Sequence, residues 1–262
     1  MKQMLMITIL FAVLATGASA QKPVSFGSLT YPAPGNIDWD EGTLELWIVN
    51  QFETVPKSTN SMNLFDIRLP SSDGAHYYLG YIGWANSLAQ IGFSNPRHSY
   101  IWSDKLKWKP GERHYIAWSW SGRVRSLFID GHSSESGPFD PPLQGEGRGR
   151  SSASVVVEGE LRGNMTGAQL IVGGGSLFAI DEIRISSVAR STNEIARVHA
   201  ATTPPSRDAF TLLLDHCDGS APEIISGLSG EKAGSISGAH KFVDGQFGKA
   251  LQLWSDQPQH SF

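Results

Sequence analysis

The chain has 262 residues, of which 21 are Lys or Arg and 25 are Asp or Glu, and its formal net charge at pH 7 is −4. This mildly negative balance, without a block of basic residues, argues against nucleic acid or an anionic membrane as the partner. The single cysteine, Cys217, cannot form an intrachain disulfide, so burial of a hydrophobic core must hold the fold together.

Residues 1–20 have the pattern of a secretory signal peptide. Lys2 precedes an apolar run from about Met4 to Ala15, and small residues follow at 16–20. The run is shorter than the roughly 20 residues that a transmembrane helix needs. We therefore predict cleavage near Gln21, a secreted, periplasmic or cell-surface location, and no membrane insertion after cleavage.

Apolar residues then recur with a period of two, which is typical of antiparallel β-strands. Leu44, Leu46 and Ile48 share one face of a predicted strand, and residues 116–120 alternate in the same way. A strand over residues 127–129 should form a hairpin with residues 116–120, and Asp130-Gly131 supplies the next turn. Further strands are predicted over residues 63–68, 76–82, 88–93, 154–158, 169–173 and 180–185. The predicted fold class is all-β, an antiparallel two-sheet sandwich.

One helix is predicted after these strands. Ser191 and Glu194 have the spacing of a capping box, and Ile195 and Val198 follow on one face. Residues 202–207, which contain Pro204-Pro205, read as a stiff linker. The sequence thus divides into a first domain at 21–201, the linker, and a segment at 208–262.

Three segments resemble the laminin-G-like, concanavalin-A-like jelly-roll superfamily. The first is 42–47 with its "Thr … Trp" strand, the second is the hairpin region 111–131 with its Trp-ending strand and Asp-Gly turn, and the third is 180–195. The resemblance covers about residues 24–200. It implies a jelly-roll sandwich with one short helix near its end and with loops at one rim available for recognition.

The C-terminal segment shows the same resemblance a second time. Residues 211–219 and 245–251 are similar to the opening strands of another such domain. Residues 208–262 are therefore interpreted as the front of a second, truncated unit, or alternatively as strands added to the edge of the first sandwich. In either case the segment cannot bury its apolar face alone, so we expect it to pack against the first sandwich or to belong to a longer protein.

Enzymatic activity is the less favoured reading. Related jelly rolls include glycoside hydrolases that carry Glu-x-Asp-x-x-Glu on one strand, and this chain lacks such a string. Asp181 and Glu182 are adjacent, so alternation places them on opposite faces. The chain also lacks a Gly-x-Ser-x-Gly nucleophile elbow. We predict a non-catalytic protein and keep an atypical glycoside hydrolase as a distant alternative.

Asp181 is the candidate metal ligand. Alternation places it on the same face as Ile183 and Ile185, toward the core, where an unpaired charge would be costly. A structural calcium ion, which favours carboxylate and carbonyl oxygens, is one solution. Backbone amides or a neighbouring Arg are the others.

Aromatic residues crowd residues 77–84. Strict alternation places Tyr77 and Tyr81 on one face of a strand and Tyr78 and Trp84 on the other, so at most half of them can lie at the surface. The segment 95–102 adds further polar and aromatic residues.

From these two segments we select Tyr81, Trp84, Arg97, His98 and Trp102 as candidate ligand-binding residues. Aromatic rings stack on the apolar faces of sugars, while polar neighbours read the hydroxyl groups. The predicted function is recognition of a glycan or a glycosylated surface. The main alternative is a structural or adhesive spacer of a larger surface protein that contacts a cell-surface protein.

Overall fold

The computed structural model describes residues 26–38, 40–51, 61–68, 76–83, 90–94, 100–103, 106–122, 124–133, 154–156, 166–173, 178–219, 223–224 and 234–254. Within these ranges the strands are β1 Ser28–Pro32, β2 Glu41–Asn50, β3 Ser61–Arg68, β4 His76–Gly83, β5 Gln90–Ser94, β6 Tyr100–Trp102, β7 Arg113–Ser121, β8 Val124–Ile129, β9 His132–Ser133, β10 Ser154–Val156, β11 Gln169–Val172, β12 Phe178–Ser186, β13 Thr211–Asp215, β14 Glu223–Ile224, β15 Ser235–Ser237, β16 Lys241–Asp244 and β17 Lys249–Gln252. The helix α1 spans Thr192–His199.

The strands form two antiparallel sheets, which confirms the predicted all-β sandwich. One sheet has seven strands in the order β15-β1-β11-β3-β4-β5-β6. The other has ten, with the path β10-β8-β7-β2-β12-β13-β14, and β9, β16 and β17 attached beside it. Among the described residues no helix is long and apolar enough to cross a membrane.

The predicted hairpin and turn are both present. β7 pairs with β8 from Ile116 opposite Ile129 to Ser121 opposite Val124. Asp130 and Gly131 then connect β8 to β9 with φ values of 51° and 77°. Two successive positive φ angles are those of a type I′ turn, for which Asp-Gly is a favoured pair.

The main core lies between the two sheets. Leu44, Leu46 and Ile48 of β2 and Trp118 of β7 are fully buried, as their alternation predicted. They pack against the inner face of the seven-stranded sheet, where Phe65 lies with its ring centroid 6.0 Å from that of Trp118 in an edge-on arrangement. Burial of this many apolar side chains supplies the stability that the chain cannot obtain from disulfides.

The outer face of the ten-stranded sheet is also covered. Ile195 of α1 packs against Trp47, Tyr115 and Phe128, and this cluster is separate from the main core. Ser191 caps the helix, with Glu194 completing the predicted capping box. The helix therefore buries the side of β2 that faces away from the main core.

The segment after the linker contributes strands to both sheets. β13 and β17 both pair with β12, and β15 pairs with β1. Leu213, Cys217 and Leu251 belong to the main core. The free thiol of Cys217 is buried, and burial raises its pKa well above the ordinary value.

Candidate functional site

The predicted ligand-binding residues divide into two groups. Tyr81 lies in β4 and Trp102 lies in β6. Trp84, Arg97 and His98 lie outside the described residues, in the stretches of chain between β4 and β5 and between β5 and β6.

The register of the seven-stranded sheet brings Tyr81 and Trp102 into one row across the strands. Asn63 of β3 pairs with Tyr81, and Tyr81 pairs with Gly92 of β5. Gly92 in turn pairs with Trp102. The two aromatic residues are thus two strand spacings apart, about 10 Å between backbones, with a glycine between them.

Residue types separate sharply between the two sets of alternating positions in β3 to β6. The positions on one face, paired through the registers of neighbouring strands, are Ser61, Asn63, Tyr81, Gly83, Gln90, Gly92, Ser94, Tyr100 and Trp102. The intervening positions are Met62, Ile82, Ile91, Phe93 and Ile101. An antiparallel sheet with one face packed on a core shows this segregation.

The apolar set shares its sheet face with a described residue of β3. Met62 is two residues before Leu64 on β3, and Leu64 is fully buried in the main core. Residues two apart on a strand lie on the same face. The backbone register therefore places the row of Tyr81, Gly92 and Trp102 on the face of the sheet opposite Met62 and Leu64, and we call this the polar face of β3 to β6.

The predicted alternation of Tyr77 with Tyr81 is wrong. The register between β3 and β4 shifts near Phe65, and the adjacent residues Leu64 and Phe65 are both in the core. Tyr77 pairs with the core residue Ile67, whereas Tyr81 pairs with Asn63. An irregularity of this kind reverses the faces of all positions beyond it, and sequence periodicity does not reveal it.

Asp181 lies far from this row, in the ten-stranded sheet, and its predicted face is also wrong. Asp181 pairs with Trp47 and Arg184 pairs with Glu45, so two residues of β12 oppose one of β2. Glu182 sits in this bulge with a φ of 52°. Asp181 consequently shares the face of Trp47, whereas Ile183 lies in the main core.

The carboxylate of Asp181 accepts hydrogen bonds from backbone amides, one of the alternatives open from the sequence. Its Oδ2 accepts from the amides of Gln246 at 2.7 Å and Phe247 at 3.2 Å. Burial raises the pKa of this carboxyl to about 6, although both amides act in the opposite direction. Asp181 thereby ties the turn between β16 and β17 to β12.

Glu182 makes the corresponding contact on the other side of the bulge. Its Oε2 lies 2.6 Å from Nδ1 of His216, the residue that follows β13. Burial raises the pKa of Glu182 to about 7, and the hydrogen bond with His216 opposes the shift. The two carboxylates therefore anchor the two separate C-terminal elements that pair with β12.

The fit of a calcium ion at Asp181 is incomplete among the described residues. Oδ1 of Asp181 and Oε1 of Glu182 are buried and have no hydrogen-bond partner, which leaves two oxygens available. Calcium takes six to eight oxygen ligands. In the part of the chain that the structure describes, no group of three or more His, Cys, Asp or Glu side chains could hold a metal ion. Calcium at Asp181 stays a prediction.

A second polar cluster surrounds His114 at the start of β7. Its ring stacks on that of Trp108, with centroids 3.8 Å apart, and its Nδ1 lies 2.9 Å from Oδ2 of Asp130. Asp130 also accepts a hydrogen bond from the amide of Tyr115 at 3.0 Å. Packing and hydrogen bonding thus account for His114.

Gly92 and Asn63 are the positions in the aromatic row that sequence reasoning missed. Neither has a type or spacing that marks a binding site by itself. Only the pairing of β3, β4, β5 and β6 places them in line with Tyr81 and Trp102.

No protein-family model matches the chain, and no curated protein matches it. Among solved structures, a candidate carbohydrate-binding protein from Bacteroides ovatus is 11% identical over 84% of this chain and 60% of its own, with a TM-score of 0.47. Domain 4 of an extracellular arabinanase from Geobacillus stearothermophilus, solved with arabinotriose, is 15% identical over 63% of this chain and 69% of its own, with a TM-score of 0.36. The enzymatically active domain of tailspike protein 2 from bacteriophage CBA120 is 13% identical over 74% of this chain and 28% of its own, with a TM-score of 0.45.

This chain therefore spans less than two thirds of the Bacteroides ovatus protein. All three TM-scores are below 0.5.

Proposed function

We propose that this protein is a non-catalytic recognition module that binds a glycan on the polar face of β3 to β6. One observation carries the proposal: Tyr81 and Trp102 occupy one row across the sheet, within a set of positions filled otherwise by Tyr100 and by small or amide-bearing residues. Positions paired across neighbouring strands share a face, so the backbone register places both residues on the side of the sheet where we propose that the ligand binds.

The residue types of this face suit a sugar. Aromatic rings stack on the apolar face of a pyranose, and amide groups donate to and accept from its hydroxyls. Asn63 lies in the aromatic row itself, and Gln90 lies two residue pairs along the sheet from it, on the same face. The nine positions of the face hold no Asp or Glu that could act as a pair of catalytic carboxylates, and we therefore propose binding without catalysis.

Three further residues are part of the proposal through their sequence positions. Trp84 directly follows β4, and Arg97 and His98 lie in the stretch that leads to β6. We propose that they also contact the ligand. The signal-like residues 1–20 favour action outside the cytoplasm, on a free glycan or on a glycosylated surface.

Glycan binding by residues 21–262, measured on an array and then by calorimetry, tests the proposal. We expect Tyr81→Ala or Trp102→Ala to weaken binding about 10- to 100-fold, because each removes a stacking ring worth about 1–3 kcal/mol. Phe210→Ala is the matched control, since Phe210 is a 49% exposed aromatic residue outside this face, and it should bind as the wild type does.

Three outcomes would overturn the proposal. Binding that is unchanged in both aromatic variants would show that the ligand lies elsewhere. Absence of glycan binding together with self-association in sedimentation would favour the structural or adhesive spacer. Release of reducing ends from β-glucans would instead indicate a glycoside hydrolase.

A further inference from the structure

We infer that the C-terminal strands β13 and β17 are exchangeable, and that the edge of β12 on which they lie is an interface for the same strands of a second copy of this chain. The inference goes beyond the proposed function, because it concerns the ten-stranded sheet and not the polar face of β3 to β6. It predicts a strand-exchanged dimer in which each copy completes the sandwich of the other.

One edge of β12 receives both C-terminal strands. β17 pairs there with Ala179 and Ile180, and β13 pairs from Ile183 to Ser186. We call these residues of β12 the acceptor edge. The opposite edge of β12 pairs with β2, so only the acceptor edge would lose its hydrogen-bond partners if the C-terminal strands left. An edge with unpaired backbone groups is a template for a strand of another chain.

Buried polar groups beside the acceptor edge also depend on the C-terminal residues. Asp181 accepts hydrogen bonds from two amides of the turn before β17, and Glu182 contacts His216. The buried hydroxyl of Tyr31, on β1, donates to Asp215 of β13. Leaving such groups buried without partners is costly. The rest of the sandwich is therefore stable only with these residues in place, whether they come from its own chain or from another.

The connection between α1 and β13 leaves both origins open. Residues 202–207 are exposed except for Pro205, which is partly buried, and they make no hydrogen bond or ion pair with the other described residues. If the exchange occurs at this connection, the C-terminal strands make the same contacts in a closed monomer and in an exchanged dimer. The two forms then differ mainly in the path of the connection, which makes exchange a low-cost route to a dimer.

The length of the connection decides which form prevails. Asp208 lies 2.6 Å from Arg190, which directly precedes the cap of α1, so the chain runs back along the helix. The helix has eight residues and is about 12 Å long. Deleting residues 202–206 shortens the reach from Ala200 to Asp208 to about 10 Å at full extension. The closed monomer is then strained, and a strained hinge favours exchange.

Sedimentation of residues 21–262, with and without deletion of residues 202–206, tests the inference. We expect a much larger fraction of dimer in the deletion variant than in the wild type, with an unchanged circular dichroism spectrum. The double variant Pro204→Ala/Pro205→Ala keeps the length of the connection and is the control, so it should sediment as the wild type does. A deletion variant that is a folded monomer overturns the inference.

A mixing experiment with variants of the same chain decides the case in which the shortened chain fails to fold. Ile185 of β12 and Leu213 of β13 pair with each other, and both are fully buried. Ile185→Asp damages the acceptor edge and Leu213→Asp damages a C-terminal strand, so each variant alone should lose cooperative unfolding. When the two are refolded together, the intact strands of one chain can complete the intact acceptor edge of the other. We therefore expect a cooperative transition to return in the mixture.

The matched control is a mixture of Leu213→Asp with Leu251→Asp. Leu251 is equally buried, but it lies on β17, so neither chain of this mixture has intact C-terminal strands to donate. We expect no recovery in this control. The inference is overturned if the mixture of Ile185→Asp with Leu213→Asp recovers no more cooperative unfolding than the control does.

Discussion

Glu45 shows how much the surroundings of one residue depend on distant parts of the chain. It lies on β2 and is 1% exposed, and Arg184 of β12 donates to both of its oxygens, at 2.8 and 2.9 Å. The hydroxyl of Tyr115 also donates to it, and burial raises the pKa of that hydroxyl well above its ordinary value. The charge of Glu45 is thus balanced inside the protein, beneath α1.

Replacing Arg184 with Ala should strongly destabilise the fold. The change leaves a buried carboxylate without its main partner, and loss of one member of a buried ion pair costs about 3–5 kcal/mol. Thermal and urea unfolding measure the effect. Arg197→Ala, at an exposed position of α1, is the control and should change the unfolding free energy by less than about 0.5 kcal/mol. Equal stability of the two variants would contradict the role assigned to this ion pair.

At the scale of elements, the bulge in β12 determines how the C-terminal strands attach. One edge of β12 pairs with β17 at Ala179 and Ile180, and with β13 from Ile183 to Ser186. Asp181 and Glu182 lie at the break between these two pairings. The carboxylate of Asp181 contacts the turn before β17, and that of Glu182 contacts His216, the residue after β13. One strand can therefore hold two partners on the same edge.

The bulge also makes stability depend on pH. The pKa values of Asp181 and Glu182 are raised from 3.8 and 4.5 to about 6 and about 7. Between the ordinary and the raised pKa values, the folded state therefore binds protons more tightly than the unfolded state. The free energy of unfolding consequently falls as the pH rises through this range. We expect a higher melting temperature near pH 5 than near pH 8, measured in EDTA.

Glu182→Gln should reduce this slope because it removes the group with the higher pKa. Glu194→Gln is the matched control, since the capping contacts with Ser191 lower the pKa of Glu194 and move its titration below the window. The assignment is contradicted if Glu182→Gln and the wild type lose stability equally between the two pH values.

At the scale of the whole molecule, the described C-terminal strands share the core of the sandwich. Leu213 of β13 and Leu251 of β17 are buried in the same cluster as Leu44 of β2. Side chains that fill a common core unfold with it.

Leu213→Ala should therefore destabilise the entire sandwich by about 2–5 kcal/mol, the cost of a cavity left by a buried leucine. Denaturant unfolding followed by both circular dichroism and tryptophan fluorescence should give one transition, shifted equally in both signals. Phe210→Ala, three residues earlier and exposed, should leave the transition nearly unchanged. Separate transitions for the two signals would show that the C-terminal segment folds as an independent unit.

The sequence by itself determined the local features. The alternation of Leu44, Leu46 and Ile48, the Asp130-Gly131 turn and the Ser191 capping box are each encoded within a few neighbouring residues, and the structure confirms all three. Strand alternation, turn conformation and helix capping each depend on residues only a few positions apart, so they can be predicted from the sequence.

Only the tertiary structure decided the row of Tyr81, Gly92 and Trp102 and the face of Asp181. Both depend on which strands meet and in what register, and irregularities near Phe65 and at Glu182 reverse the faces of the positions that follow. Such a shift costs little locally and is fixed by packing against distant residues. The physical reason is that side chains alternate with a period of two, so a single extra residue moves every later one to the opposite face.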